Sequence, residues 1–161
     1  MPHFTTTRQV NHSATDMFDL VADIESYPRF LPLCESLVVR SRRTVADKEI
    51  LIATMTVAYK FIRESFSTRV TLDRSAFHIH AEYIEGPFRY LENIWRFEPH
   101  GRGDSVIRFS IEYEFRSRAL SLLMGAMFDR AFKKFAAAFE ERANAVYGDA
   151  DHASHSGVST A

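Results

Sequence analysis

Residues 116–147, RSRALSLLMGAMFDRAFKKFAAAFEERANAVY, decide the fold, because their apolar side chains recur three or four positions apart and predict one long amphipathic helix. At about 1.5 Å per residue this helix would span roughly 45 Å, which exceeds the length of a strand of about ten residues. A curved sheet could therefore wrap around the helix, bury its apolar stripe and enclose a pocket. The predicted stripe comprises Leu120, Leu123, Met124, Met127, Phe128, Ala131, Phe132, Phe135, Ala138 and Phe139.

The chain before this helix predicts mostly strands. Alternating apolar and polar residues indicate a first strand over 3–10 and six more near 35–43, 48–59, 61–72, 76–83, 89–98 and 105–115. The short polar connectors between these six strands favour an antiparallel meander. After the first strand, Ser13 is a candidate N-cap for a helix over 14–24, and the two prolines of SYPRFLPLC (26–34) predict a second short or kinked helix. The fold class is therefore α+β, with about seven antiparallel strands, two short helices and the long C-terminal helix.

Alternation also predicts which strand residues face this helix. The predicted inward sets are Leu51, Ala53, Met55, Val57 and Tyr59; Ile62, Phe66, Val70 and Leu72; Phe77, Ile79 and Ala81; Leu91, Asn93, Trp95 and Phe97; and Ile107, Phe109, Ile111, Tyr113 and Phe115. The chain contains 14 Phe, 6 Tyr and 1 Trp, and these rings either fill a core or line an apolar cavity.

Length and composition bound the function classes. A chain of 161 residues suits one domain, predicted over 1–147, followed by a small, polar and disordered tail over 148–161. The net charge of −1 gives no overall electrostatic preference for nucleic acid. The sequence shows neither a transmembrane run nor a secretory signal, so we expect a cytoplasmic protein.

The sequence offers little support for catalysis. His78 and His80 alternate with Phe77 and Ile79 and are expected to point to solvent, with no third ligand to complete a metal site. Cys34 is the single cysteine and is expected to be a buried structural thiol. Neither a phosphate-binding loop nor a nucleophile elbow is present. We therefore expect no enzyme, no catalytic residue, no metal site and no resident cofactor other than a bound ligand.

Three stretches carry a resemblance to a known family. Residues 21–34, VADIESYPRFLPLC, are similar to the signature of the coenzyme Q-binding and ribosome-association toxin family of START-like (SRPBCC, polyketide cyclase-like) proteins. ENIWRF at 92–97 and the Phe-rich segment 131–142 support this resemblance, which covers roughly residues 2–147. It implies the helix-grip fold, in which a curved sheet holds the terminal helix.

The resemblance implies two non-enzymatic functions. The first is binding of ubiquinone or a similar polyprenyl lipid in an apolar cavity, in support of respiratory electron transport. The alternative is binding to a ribosomal subunit, where the protein hinders subunit association; Arg40, Arg42, Arg43, Lys133 and Lys134 are candidate contacts for ribosomal RNA. A third class, aromatase or cyclase, lacks a credible acid–base pair among the predicted inward residues.

Under the first function, 15 residues are predicted to line the cavity: Tyr27, Phe30, Leu31, Met55, Tyr59, Phe66, Phe77, Asn93, Trp95, Phe109, Tyr113, Met124, Met127, Phe128 and Phe135. The polar members Tyr59, Asn93 and Tyr113 either bond within the protein or meet the quinone carbonyl oxygens. The elbow Tyr27-Pro28…Leu31-Pro32 is either structural or in contact with the ligand.

A lipid also needs an entrance. We expect the segment 119–128, which contains Gly125, and the loop 85–90 to open this end of the pocket. The opening would face a membrane transiently, which places the protein in the cytoplasm with peripheral contact to the inner membrane.

Overall fold

The computed structural model describes residues 2–148. The helices and strands are β1 (His3–Val10), α1 (Ala14–Ala22), a 3₁₀ helix (Ile24–Arg29), β2 (Cys34–Val45), β3 (Lys48–Tyr59), β4 (Ile62–Asp73), β5 (His78–Glu85), β6 (Phe88–His100), β7 (Asp104–Phe115) and α2 (Arg118–Tyr147). Every predicted strand is present, with ends within two residues of the predicted ones. The predicted tail over 148–161 lies outside the described residues apart from Gly148.

The seven strands form one antiparallel sheet in the order β1-β7-β6-β5-β4-β3-β2. The sheet is curved, and α2 lies against its inner face with Met124, Phe128, Phe132 and Phe139 buried. On β7, every second residue from Ile107 to Phe115 is buried, as the alternation predicted. These features confirm the α+β class and the helix-grip arrangement.

Three residues depart from the predicted inward or buried faces. Phe77 precedes β5 with a φ of 50°, so strand alternation does not apply to it, and its ring packs edge-on against Phe18 of α1. Tyr59 ends β3 and is 40% exposed. Leu123 is 54% exposed although the adjacent Met124 is fully buried, so the buried stripe of α2 is narrower here than predicted.

The elbow after α1 is held by local bonds. The Ser13 hydroxyl accepts a hydrogen bond from the backbone N–H of Asp16 at 3.0 Å, which confirms the predicted N-cap. Tyr27, in the 3₁₀ helix, donates its hydroxyl to the carbonyl oxygen of Val21 at 2.5 Å. Leu33 has a φ of 68°, which turns the chain into β2. The prolines therefore act within a bonded elbow.

The two halves of α2 are attached differently. In the C-terminal half, Glu140 accepts a bond from Arg8 at 2.5 Å, Asn144 pairs with His12 at 2.6 Å, and Tyr147 donates to the carbonyl oxygen of Asp16 at 3.2 Å. Within the described chain, residues 118–130 form no side-chain hydrogen bond to the sheet. No helix of residues 2–148 is both long and apolar enough to cross a membrane.

Candidate functional site: an apolar cavity beneath the terminal helix

A cavity of about 90 Å³ lies between the middle of the sheet and α2. Small side chains leave this space open. Ala53 of β3, Ala81 of β5 and Ala131 of α2 all line the cavity, and larger side chains at these positions would fill it. Aromatic rings form much of the remaining wall. Seven of the predicted residues line the cavity: Tyr27, Met55, Phe66, Asn93, Trp95, Phe128 and Phe135.

The remaining predicted residues lie outside this cavity, because rings fill both ends of the space under α2. Phe30 packs on Phe139, Phe109 packs on Trp95 at 4.7 Å, and Tyr113 packs on Phe132 at 5.1 Å. Burial raises the pKa of Tyr113 to about 12, with the charge of Asp129 adding to the shift. Five other residues that the sequence predicted as ligand contacts also lie outside this cavity: Leu31, Tyr59, Phe77, Met124 and Met127.

The sequence prediction missed 15 wall residues: Ile24, Pro32, Leu33, Leu37, Ala53, Val57, Thr68, Val70, Ile79, Ala81, Leu91, Ile111, Ala131, Phe132 and Phe139. Many of them belong to the predicted inward sets. Facing alanines are the signal that could have located the cavity, since a void forms where side chains are short rather than where they are large.

Few polar groups reach the cavity. Asn93 donates one amide N–H to the carbonyl oxygen of Ser110 at 2.9 Å, which orients the side chain and leaves its second N–H for another acceptor. The Tyr27 hydroxyl is already bonded to Val21, and burial raises its pKa above the usual range. Thr68 of β4 also lines the cavity, so the mostly apolar walls carry one well-oriented amide and one hydroxyl.

An open recess of about 440 Å³ adjoins the cavity between α2, the elbow and the β3–β4 turn. Pro32, Leu33 and Ala131 line both spaces and so form the boundary between them. Other walls of the recess come from the end of β3, the start of β4 and the helix segment 123–134; these residues are Tyr59, Ile62, Leu123, Ala126, Met127, Arg130 and Lys134. The elbow therefore contributes both structure and cavity wall.

The recess overlaps only part of the segments that the sequence predicted as an entrance. Part of the predicted segment 119–128 does line the recess, but the loop 85–90 does not. Gly86 instead packs so tightly on Phe66 that an added Cβ would lie 2.5 Å from the Phe66 Cβ. Tyr59 and Ile62, on either side of the turn between β3 and β4, line the recess instead.

His78, His80 and Cys34 do not line the cavity. His80 and His78 are half-buried on the face of β5 opposite the cavity, rather than fully solvated, and His80 Nε2 lies 2.7 Å from Glu92 Oε2. Burial, followed by the charge of Arg96, lowers the pKa of His78. Burial raises the pKa of Cys34 to about 11, which keeps the thiol protonated and unreactive near neutral pH. Among residues 2–148, no group of three metal-ligating side chains comes together.

Comparison with known proteins agrees with this geometry. A family model described as "Polyketide cyclase / dehydrase and lipid transport" matches residues 10–140. The ribosome association toxin of Rickettsia prowazekii is 34% identical over 149 residues, covering 91% of this chain and 99% of that protein. The mitochondrial coenzyme Q-binding protein homolog B of Xenopus laevis is 29% identical over 149 residues, covering 90% of this chain and 59% of that protein.

A solved START superfamily protein from Mycobacterium smegmatis superposes with a TM-score of 0.74 at 18% identity, covering 89% of this chain and 98% of that one, and so supports the fold. The two relatives bear the names of a toxin and a binding protein rather than of enzymes. The family model spans most of the sequence, and the sheet, the terminal helix and the cavity accompany it. The chain therefore belongs to the polyketide cyclase / dehydrase and lipid transport family.

Proposed function

We propose that this protein binds ubiquinone or a similar polyprenyl lipid without chemical change and so supports respiratory electron transport. The observation that carries the proposal is the apolar cavity beneath α2, with the Asn93 amide in its wall and an open recess beside it. The similarity to a coenzyme Q-binding protein favours a quinone over other apolar ligands.

The cavity walls suit a quinone ring. Trp95 and Phe135 offer aromatic faces and edges against which a flat ring can pack. The free N–H of Asn93 can donate to one quinone carbonyl oxygen, which would otherwise be buried without a partner. Carboxylates and imidazoles are missing from the wall formed by the described residues, which disfavours the acid–base chemistry of a cyclase.

The ligand requires the cavity to widen. Ligand pockets usually hold roughly 300–1,000 Å³, whereas this cavity holds about 90 Å³. We expect the N-terminal half of α2 to move, because its residues 118–130 form no side-chain hydrogen bond to the sheet. The C-terminal half, by contrast, forms hydrogen bonds to Arg8, His12 and Asp16. Gly125 also makes the helix about 1 kcal/mol less stable there than alanine would. Outward movement of this half would join the cavity to the recess and admit the polyprenyl tail.

Solvent extraction of the freshly purified protein, followed by mass spectrometry, should detect a quinone. Added short-chain quinone should quench the fluorescence of Trp95, which is the only tryptophan in the chain and lines the cavity. Asn93→Leu should weaken this binding about tenfold through loss of one hydrogen bond. Gln9→Leu, on the exposed edge strand β1, should leave binding unchanged. Absence of both extracted quinone and quenching would refute the proposal.

The alternative function is association with a ribosomal subunit that hinders subunit joining, and the 34% identity to a ribosome association toxin favours it. Arg42 and Arg43 lie on the edge strand β2, although Arg42 already pairs with Glu49 at 3.1 Å. If this function holds, the protein should co-sediment with one subunit. Arg42→Glu combined with Arg43→Glu should then weaken binding at least about tenfold. Arg102→Glu, in the β6–β7 turn four strands away from β2, should not.

A further inference from the structure

The most exposed apolar side chains lie beside the recess. Phe61 is 85% exposed and Leu122 is 81% exposed, the two highest values among the large apolar residues described, and Leu123 is 54% exposed. Phe61 lies in the β3–β4 turn between Tyr59 and Ile62, which both line the recess, as does Leu123. We call Phe61, Leu122 and Leu123 the rim.

The local backbone does not explain the rim. The β3–β4 turn consists of Lys60 and Phe61, and Lys60 has a φ of 54°. Turns with a positive φ favour Gly, Asn or Asp, and no turn geometry calls for an exposed phenylalanine. In the first turns of α2, polar residues would serve the exposed face better than two adjacent leucines. Clustered exposed apolar side chains of this kind mark a surface that binds something apolar.

Basic side chains without ion-pair partners surround the rim. Lys60 precedes Phe61, Arg118 lies one helical turn before Leu122, and Arg130 and Lys134 line the recess; within residues 2–148 none of these four forms an ion pair. The neighbouring Lys133, by contrast, pairs with Asp129 at 2.9 Å. Because the whole chain has a net charge of −1, this positive charge is local. It complements a negatively charged surface.

We propose that the rim docks onto an anionic phospholipid bilayer. Phe61, Leu122 and Leu123 enter the interface, and the four basic side chains contact the lipid headgroups. In this orientation the recess opens to the membrane, and a lipid can pass into the cavity without crossing water. The leucines favour a bilayer over RNA, since they offer neither charge nor a ring for a base to stack on. The membrane's role in loading rests on the proposed quinone binding, whereas docking itself does not.

The test is vesicle co-sedimentation of the full chain. Vesicles of phosphatidylcholine with about 30% phosphatidylglycerol should bind the protein at least about tenfold more tightly than pure phosphatidylcholine, since each basic residue contributes roughly fivefold. Phe61→Ser, and Leu122→Ser combined with Leu123→Ser, should each weaken binding about tenfold. Arg130→Glu combined with Lys134→Glu should abolish the preference for the anionic vesicles.

Matched controls lie at the far end of the sheet. Val45→Ser removes an apolar side chain that is 47% exposed in the β2–β3 hairpin region, and Arg96→Glu combined with Arg102→Glu reverses two exposed charges. Both controls should bind vesicles as the unmodified chain does. Equal binding to the two vesicle types, equal losses in the controls, or rim-dependent binding to a ribosomal subunit in place of vesicles would overturn the docking proposal.

Quenching of Trp95 by a short-chain quinone, measured without vesicles, separates the two proposals. Rim variants that lose vesicle binding but retain quinone binding would support docking as a distinct function of this surface. Vesicle binding without any quinone binding would support docking and refute the proposed ligand. Quinone binding without vesicle binding would overturn docking and leave the ligand proposal standing.

Discussion

Phe139→Ala should lower the free energy of unfolding by about 3–5 kcal/mol. Phe139 is fully buried, and its ring makes edge-on contacts with Tyr27 and Phe30 at 5.1 Å and with Trp95 at 4.9 Å. It thereby joins α2, the elbow and the sheet in one cluster. Truncation would remove buried apolar area and leave a void that the rigid elbow cannot collapse to fill.

Urea denaturation followed by circular dichroism would measure this loss. Phe61→Ala is the matched control, because it deletes the same group from a residue that is 85% exposed, and its effect should stay within about 0.5 kcal/mol. A loss below about 1 kcal/mol for Phe139→Ala would contradict the packing described here, since it would mean that the elbow and α2 are not held together by this ring.

Ala131→Leu should weaken binding of short-chain quinone at least about thirtyfold, since overlap between a ligand and an inserted side chain costs about 2 kcal/mol or more. Ala131 is 4% exposed and lines both the cavity and the recess. A leucine there would fill the narrow space and close the connection between the two. The free protein should tolerate the change, with stability altered by less than about 1.5 kcal/mol, because the added atoms enter an existing void.

Titration of Trp95 fluorescence would measure the binding, and urea denaturation would establish that the variant is folded. Ala145→Leu makes the same substitution on the exposed side of α2 and should change neither property. A folded Ala131→Leu protein that binds quinone as tightly as the unmodified chain would show that the ligand site lies elsewhere.

Periodic patterns were reliable wherever one face of an element is buried. The β7 residues from Ile107 to Phe115 alternate as predicted, and α2 buries Phe128 and Phe132 as its spacing required. The patterns failed at the margins of elements. Phe77 lies in a turn, and Leu123 lies at the edge of the buried stripe of α2, so each has surroundings that its local sequence does not specify.

The candidate site was predicted less well than the fold, because a cavity is a property of several elements together. Asn93 and Trp95 were recognised as inward-facing residues, and both line the cavity. Tyr113 was recognised by the same rule, yet Phe132 covers it. Alternation specifies which face of the sheet a side chain lies on, but not its distance from α2. It therefore could not distinguish Asn93 and Trp95, which line the cavity, from Tyr113, which does not.

By itself, the sequence determined the order of the elements, the antiparallel meander, the buried stripe of α2 and the family, because each depends on short-range periodicity or on a contiguous motif such as residues 21–34. Only the tertiary structure decided that Ala53, Ala81 and Ala131 line one cavity, and that Leu123 lines the same recess as Tyr59 and Ile62, the neighbours of the exposed Phe61. The physical reason is that voids and surface clusters arise from residues distant in the chain, whose separation is set by the curvature of the sheet around the helix.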